Sequence, residues 1–199
     1  FDFLTIFKNN KNNVLTKRGI YIYGNPGIGK TTFVQNLLKD MNYDIIKYDA
    51  GDIRNKNVLE NITTKNMSDK NVLSLLQKKQ KEIAIVMDEI DGMNNGDKGG
   101  INSLIKLIRP KKTKKQKLED TTLNPIICIG NYHIDKKINE LMKVCLTIEI
   151  KTPTDIQINN LTNILLPNLQ VSIINDLIGN YIKGDLRKLK SITDIYNNY

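Results

Sequence analysis

The sequence contains no tryptophan, two cysteines and a single histidine among its 199 residues. One histidine cannot form a histidine-based zinc site, so we treat His133 as an ordinary residue. Cys128 and Cys145 both lie in short apolar runs, which favours buried free thiols over a disulfide or a metal ligand and fits a reducing compartment. No apolar run approaches the ~20 residues needed to cross a bilayer, so no membrane role is expected. The sequence begins at Phe1 without a methionine or an apolar secretory segment, and we expect it to be a piece of a longer protein.

Arginine is scarce, whereas lysine, asparagine and isoleucine are abundant. Lysine and arginine together number 30 against 21 acidic residues, which gives a formal net charge of +9 and a pI of about 9.4. Such a charge favours an anionic partner such as nucleic acid, although by itself it establishes only non-specific attraction. An AT-rich genome produces the same bias, because these residues have A/T-rich codons, and the sequence leaves both explanations open.

Short apolar segments alternate with helical segments up to residue 150. The strand-like segments are 20–23, 43–48, 83–87, 125–129 and 145–150, and the helical ones are 31–39, 69–81 and 100–108. This alternation predicts an α/β fold with a parallel five-stranded sheet flanked by helices. Segment 83–87 is apolar throughout, as expected of a strand that is buried on both faces.

The pattern changes at Thr152-Pro153. Only helical periodicity follows, in segments 155–165, 172–181 and 184–196. We therefore expect an α/β domain over residues 1–151 and a small all-helical lid domain over residues 152–199. Gly184 and Asp185 have the pattern of a turn and an N-cap, which places Arg187 in the first turn of the last helix.

A glycine-rich motif of the form G-x-x-x-x-G-K-T stands between the first strand and the first helix. Backbone N–H groups of such a loop can wrap phosphate oxygens, and the positive end of the helix dipole points at them. We expect Lys30 to pair with the β- and γ-phosphates of ATP and the Thr31 hydroxyl to bind Mg²⁺. The candidate nucleotide-binding residues of this P-loop are Gly24, Asn25, Pro26, Gly27, Ile28, Gly29, Lys30, Thr31 and Thr32.

Two carboxylates, Asp88 and Glu89, follow the third strand. They stand at its carboxyl end, where the ligands of open α/β sheets bind. Asp88 is the candidate second protein ligand of Mg²⁺ and contributes to the nucleotide site. Glu89 is the candidate for polarising the attacking water, because phosphoryl transfer mainly needs positioning and charge stabilisation. ATP and Mg²⁺ are therefore the expected cofactors, and ATP hydrolysis is the expected reaction.

Five segments resemble, in order, the motifs of clamp-loader AAA+ ATPases, and in particular those of the large subunit of replication factor C. The segments are 24–32, 49–56, 87–93, 125–131 and 184–187, and the most specific part is residues 88–93 (DEIDGM) with 96–100 after them. The resemblance covers almost the whole chain. It implies a P-loop AAA+ subunit of a sliding-clamp loader, which couples ATP binding and hydrolysis to clamp opening and loading on primed DNA.

The resemblance adds two candidate catalytic residues to Lys30 and Glu89. Asn131 resembles sensor 1, whose amide orients water or touches the γ-phosphate, and Arg187 resembles sensor 2, through which the lid detects that phosphate. Small clamp-loader subunits carry an arginine finger at a position that holds Val144 here. The resemblance therefore implies a chain that receives a finger from a small subunit without donating one. Since a finger is worth about 10³–10⁵ in rate, hydrolysis without partner subunits should be slow.

A DNA-contacting surface follows from the resemblance. Lys98, Gly99, Gly100 and Ile101 correspond to the start of a helix that family members use to track the DNA backbone. Exposed N–H groups and a lysine suit phosphate. A plain capped helix is the alternative.

A clamp-contacting surface also follows from it. Val72, Leu75 and Leu76 occupy the place where the family's large subunit inserts apolar and aromatic residues into the sliding clamp, with leucines here in place of the aromatics. Core packing is the alternative, because a helix needs an apolar face in any case.

The expected partners are small clamp-loader subunits, the sliding clamp and primer–template DNA. The expected location is intracellular, in the nucleus of a eukaryote or in a viral replication compartment. The helical collar through which clamp loaders assemble is not apparent in the sequence. Two alternatives stay open: another DNA-associated AAA+ ATPase, of the origin-recognition or branch-migration kind, which should keep an arginine finger, and a non-hydrolysing ATP-dependent interaction module.

One low-complexity stretch, residues 111–117, contains five lysines and interrupts the connection between the third helix and the fourth strand. It is either a solvated, mobile loop or an arm that attracts phosphate.

Overall fold

The sheet has five strands. A computed structural model describes residues 2–13, 15–49, 81–95, 98–119, 121–132, 135–167 and 178–198. The strands are β1 (Gly19–Tyr23), β2 (Tyr43–Tyr48), β3 (Glu82–Met87), β4 (Ile126–Gly130) and β5 (Leu146–Glu149). Their order across the sheet is β2-β3-β4-β1-β5, with parallel pairing of β2 with β3, β3 with β4 and β4 with β1. The predicted five-stranded parallel sheet is confirmed, and each strand begins and ends within one residue of its prediction.

Helices account for most of the other described residues. They are α1 (Asp2–Asn9), α2 (Lys30–Asp40), α3 (Lys98–Ile108), α4 (Lys114–Lys117), α5 (Lys136–Val144), α6 (Asp155–Leu165) and α7 (Leu186–Asn197), with a 3₁₀ helix over Ile90–Asn95. Helices α2, α3, α6 and α7 match predicted helices. The predicted helix 69–81 lies outside the described residues except for its last residue, and so does most of 172–181, although residues 178–182 are helical. No helix in the described ranges is long and apolar enough to cross a membrane.

Helices α1, α4 and α5 are additional to the predicted ones. Helix α5 begins after Asp135, whose carboxylate accepts a hydrogen bond from the Ile138 N–H at 2.8 Å. Helix α4 begins after Thr113, which forms a reciprocal capping box with Gln116. The lysine-rich stretch 111–117 therefore contains an ordered helical turn, whereas the sequence suggested a loop or an arm.

The chain divides into two compact units, residues 1–23 with 31–148 and residues 24–30 with 149–199. In the first unit, one face of the sheet packs against α3, α5 and the 3₁₀ helix. The buried residues of this core are Tyr21, Ile85, Met87, Ile90, Ile101, Leu104, Ile108, Ile126, Cys128, Ile138, Leu141 and Cys145. In the second unit, Ile158, Ile182 and Leu189 form a smaller core. The proposed domain boundary after residue 151 stays a prediction.

Both cysteines are free and buried, as the sequence predicts. A hydrogen bond with the Cys145 thiol, together with burial, raises the pKa of Cys128 well above its ordinary value. Cys128 on β4 therefore stays protonated at neutral pH and behaves as a small core residue.

Candidate functional site

Residues 24–30 of the P-loop belong to the second unit, and their backbone has angles that glycine allows. Gly27 and Gly29 have φ angles of +79° and +85°, a region that L-residues with a side chain rarely adopt. The Lys30 ammonium donates hydrogen bonds to the carbonyl oxygens of Gly24 at 3.0 Å and Asn25 at 2.8 Å. The lysine charge is therefore held at the loop by the loop's own carbonyls, and Lys30 is 8% exposed.

The P-loop also contacts other residues of the second unit. The Leu186 N–H, at the start of α7, donates to the Gly27 carbonyl at 2.9 Å. A Cβ atom on Gly27 would lie 2.1 Å from Asp185 Oδ1, and one on Gly24 would lie 2.3 Å from the Ile150 carbonyl oxygen. Close approach of neighbouring atoms therefore requires glycine at both positions. At Gly27 the backbone angle requires it as well.

Arg187 lies in the first turn of α7, after the N-cap Asp185, as the sequence predicts. Its side chain is 69% exposed, and its Nε lies 3.3 Å from Asp185 Oδ1. The same carboxylate oxygen accepts the Arg187 backbone N–H at 3.0 Å. Asp185 therefore caps the helix, holds the guanidinium and lies against Gly27, so that it joins the sensor 2 candidate to the P-loop.

Thr31 and Asp88, the two candidate Mg²⁺ ligands, are in contact in the first unit. The Thr31 hydroxyl donates to Asp88 Oδ2 at 3.0 Å, and Asp88 is 7% exposed. Mg²⁺ binds oxygens at about 2.0–2.1 Å in octahedral geometry, which puts adjacent ligand oxygens about 2.9 Å apart. The two oxygens therefore fit one edge of a Mg²⁺ coordination shell.

Lys47 is a further charged residue at this position, and sequence reasoning did not identify it. Its ammonium lies 3.0 Å from Asp88 Oδ2 and 3.4 Å from Asp49 Oδ1. The hydrogen bond to Asp88 raises the pKa of Lys47 above its ordinary value. The available signal was a lysine near the end of the strand-like segment 43–48. It becomes informative only once β2 is known to pair with β3, which Asp88 follows.

Glu89 has an unusual backbone. Its φ angle is +52°, and its N–H donates to Asp88 Oδ1 at 3.0 Å. Non-glycine residues with such angles store strain and cluster at functional sites. The Glu89 side chain is exposed, which leaves its carboxylate accessible to water.

Asn131 follows β4 and Asp88 follows the neighbouring β3, so parallel pairing of these strands brings both residues to the same edge of the sheet. Its amide donates to Asp91 Oδ2 at 2.9 Å. A Cβ on the preceding Gly130 would lie 2.3 Å from the Tyr21 hydroxyl oxygen. Close packing of Tyr21 against Gly130 thus fixes the end of β4 that presents Asn131.

The structure describes only part of the candidate DNA-contacting and clamp-contacting surfaces. Val72, Leu75 and Leu76 lie outside the described residues, as does His133. Lys98 to Ile101 form the first turn of α3, whose backbone N–H groups have no acceptor within the helix. Ile101 is buried in the core. Val144, at the finger position, packs against the same core at the end of α5.

These features are those of a P-loop nucleotide-binding fold: a parallel sheet with a glycine-rich loop after β1, carboxylates after β3 and an asparagine after β4. The sequence profile of the "ATPase family associated with various cellular activities (AAA)" matches residues 20–154. The chain belongs to the AAA family of ATPases.

Within that family the chain is similar to large subunits of replication factor C. It is 33% identical over 144 residues to replication factor C subunit 1 of Saccharomyces cerevisiae, a match over 68% of this chain and 15% of that protein. It is 32% identical over 132 residues to the replication factor C large subunit of Methanococcus aeolicus, over 66% and 24% of the two chains. With the large subunit of Nanoarchaeum equitans it shares 25% identity over 174 residues, which is 85% of this chain and 36% of the other. The resemblance seen in the motifs is confirmed at moderate identity, and the matches span about a seventh to a third of the length of these relatives.

Proposed function

We propose that this chain is the ATP-binding and hydrolysing module of a clamp-loader large subunit, which couples ATP to sliding-clamp opening and loading on primed DNA. The contact between Thr31 and Asp88 supports the ATPase part, because it places two Mg²⁺-type ligands side by side. The similarity to replication factor C large subunits supports the clamp-loader part.

The P-loop supplies the phosphate-binding groups in this proposal. Residues 24–32 hold the phosphates with backbone N–H groups, and Lys30 exchanges its bonds to the loop carbonyls for bonds to the β- and γ-phosphates. Thr31 and Asp88 would hold Mg²⁺, which would supply positive charge to neutralise the phosphates.

The catalytic roles fall to residues around the γ-phosphate. Glu89 orients and polarises the attacking water, Asn131 positions it as sensor 1, and Arg187 detects the γ-phosphate as sensor 2. Arg187 reaches this role by leaving Asp185, a step that its high exposure permits. An arginine from a small subunit completes the site in trans.

Partner contacts complete the proposal. The first turn of α3, from Lys98 to Ile101, contacts the DNA backbone, and Val72, Leu75 and Leu76 contact the sliding clamp. Residues 152–199 act as the lid, and the module works inside the cell, where DNA is replicated.

Single-turnover ATP hydrolysis by the complex with its small subunits tests the catalytic assignment. Glu89→Gln should keep ATP binding and lower the rate by about 10²–10⁴, the usual contribution of a positioned base. Glu140→Gln, a change of the same type at a residue that pairs with Lys137 on the surface of α5, should leave the rate unchanged. An unchanged rate in Glu89→Gln would show that the role is wrong, and no turnover in the wild type would indicate a non-hydrolysing module.

A further inference from the structure

Four exposed lysines lie within six residues of one another, on α4 and just before it: Lys112, Lys114, Lys115 and Lys117. We call them the α4 lysines. Among the residues that the structure describes, none of the four forms an ion pair, whereas Lys11 pairs with Glu82. Their charges therefore face solvent without a described counter-ion.

The segment that carries these lysines is fixed at both ends. Before α4, the buried Lys111 donates to the Lys106 carbonyl oxygen and to Glu119 Oε2, at 3.1 Å for the latter. After α4, Glu119 also accepts hydrogen bonds from Arg109. Burial alone would raise the pKa of Glu119, but its bonds to Arg109 and Lys111 outweigh that effect and lower it. Glu119 is thus ionised at neutral pH, and its bonds to Arg109 and Lys111 hold the two ends of the segment together.

The first turn of α4 is fixed as well. The Thr113 hydroxyl accepts the Gln116 N–H at 3.2 Å, and Gln116 Oε1 accepts the N–H groups of Lys112 at 3.0 Å and Thr113 at 3.1 Å. The backbone is therefore ordered before any ligand binds. Binding at this surface would order only lysine side chains, which lowers its entropic cost.

The composition of the segment selects the type of ligand. Residues 109–120 include six basic and two acidic residues and no aromatic residue. An interfacial membrane helix needs an apolar face, which the four residues of α4 (KKQK) do not have. Single-stranded DNA is usually bound with aromatic side chains on which bases stack. Lysines with neither an apolar face nor aromatic neighbours suit the phosphates of duplex DNA, which carries one negative charge per about 1.7 Å of its axis.

We propose that the α4 lysines bind the phosphate backbone of duplex DNA, as a contact additional to the first turn of α3. The four residues of α4 extend about 6 Å along the helix axis, so Lys114 and Lys117 can reach different phosphates. Contacts to phosphates carry no sequence information, so this binding is independent of DNA sequence.

The salt dependence of duplex binding tests this proposal. One variant replaces all four α4 lysines by glutamine. The matched control replaces Lys39, Lys136, Lys143 and Lys190, which are exposed on other helices, and so makes the same change in net charge. Each protein is titrated with a duplex of about 20 base pairs between about 50 and 200 mM salt, a range over which binding through several phosphate contacts weakens steeply.

The α4 variant should reduce the magnitude of the slope of log K against log salt by about two to four, because two to four lost phosphate contacts each contribute about 0.9. The control should change it by less than one, and ATP binding should be unchanged in both. Equal changes of slope in the two variants, or no change in the α4 variant, would overturn the proposal. It would also be overturned if the α4 variant lost only its binding to phosphatidylserine vesicles. A parallel Lys98→Ala measurement separates this surface from the DNA contact in the proposed function, since either slope can change without the other.

Discussion

At the scale of single residues, the two positive-φ glycines of the P-loop are required for different reasons. Both φ angles disfavour a side chain by about 1–2 kcal/mol. On Gly29 the nearest atom to an added Cβ would be 3.7 Å away, whereas on Gly27 it would be Asp185 Oδ1 at 2.1 Å. Since Asp185 caps α7, an alanine at position 27 must also displace that cap.

We therefore expect Gly27→Ala to lower the free energy of unfolding by about 2–4 kcal/mol and Gly29→Ala by about 1–2 kcal/mol. Denaturant titration measures both. In an Asp185→Ala background the clash is absent, so Gly27→Ala should cost less there than in the wild type. Equal losses from the two single glycine variants would contradict this explanation.

Lys47 makes a second prediction at this scale. Its ammonium shares Asp88 Oδ2 with the Thr31 hydroxyl, so Mg²⁺ must compete with a positive charge already in place. An ion pair that is partly exposed is worth about 0.5–1 kcal/mol. In Lys47→Met, the Mg²⁺ concentration for half-maximal binding of a fluorescent ATP analogue should therefore fall about two- to fivefold. Lys39→Met, on the exposed face of α2, serves as the control, and a raised Mg²⁺ requirement in Lys47→Met would show that the lysine assists the metal.

At the scale of elements, the inner strands could be predicted because strands inside a parallel sheet are buried on both faces and form continuous apolar runs. Strands β3 and β4 have this character. Helix α4 is too short to show periodicity, and charged residues interrupt the apolar spacing of α5, although Asp135 marks its start. Helices this short are recognised in a sequence mainly by their capping residues.

The same reasoning explains which site residues the sequence revealed. Lys30, Asp88 and Asn131 belong to motifs that are local in sequence and follow predicted strands. The ion pair of Lys47 with Asp88 depends on the pairing of β2 with β3, and the contact of Gly27 with Asp185 joins residues far apart in the chain. Neither has a local pattern.

Glu119 gives a prediction about the segment that carries α4. Its pKa lies below the ordinary value of about 4.3. A carboxylate with a lowered folded-state pKa contributes stability above its ordinary pKa and loses it as the pH falls through the folded-state value. Glu119→Gln should therefore reduce the free energy of unfolding by about 1–2 kcal/mol at pH 7, and the difference should fade below about pH 4. Urea titrations at pH 7 and pH 3 measure it, and an undiminished difference at pH 3 would rule out the charge-based explanation.

At the scale of the whole molecule, the chain holds candidates for nearly all parts of an ATP site except an arginine from a neighbour. In the proposed function that arginine comes from a small subunit, and Val144, at the corresponding position of this chain, packs against the core. Its own turnover should be slow and should rise by about 10³–10⁵ when small subunits are added. Steady-state phosphate release with and without those subunits measures the effect, and fast turnover by the chain alone would contradict it.

The most direct test of the proposed function is ATP-dependent capture of the sliding clamp by the full-length protein assembled with its small subunits. The wild-type complex should bind the clamp in the presence of ATP and Mg²⁺ and release it on DNA after hydrolysis. Lys30→Ala should leave the complex assembled but weaken ATP-dependent capture by at least about tenfold, since a charge-assisted bond to phosphate is worth about 1.5–3 kcal/mol. Capture that is absent in the wild type, or equally strong without ATP, would contradict the assignment of this P-loop to a clamp loader.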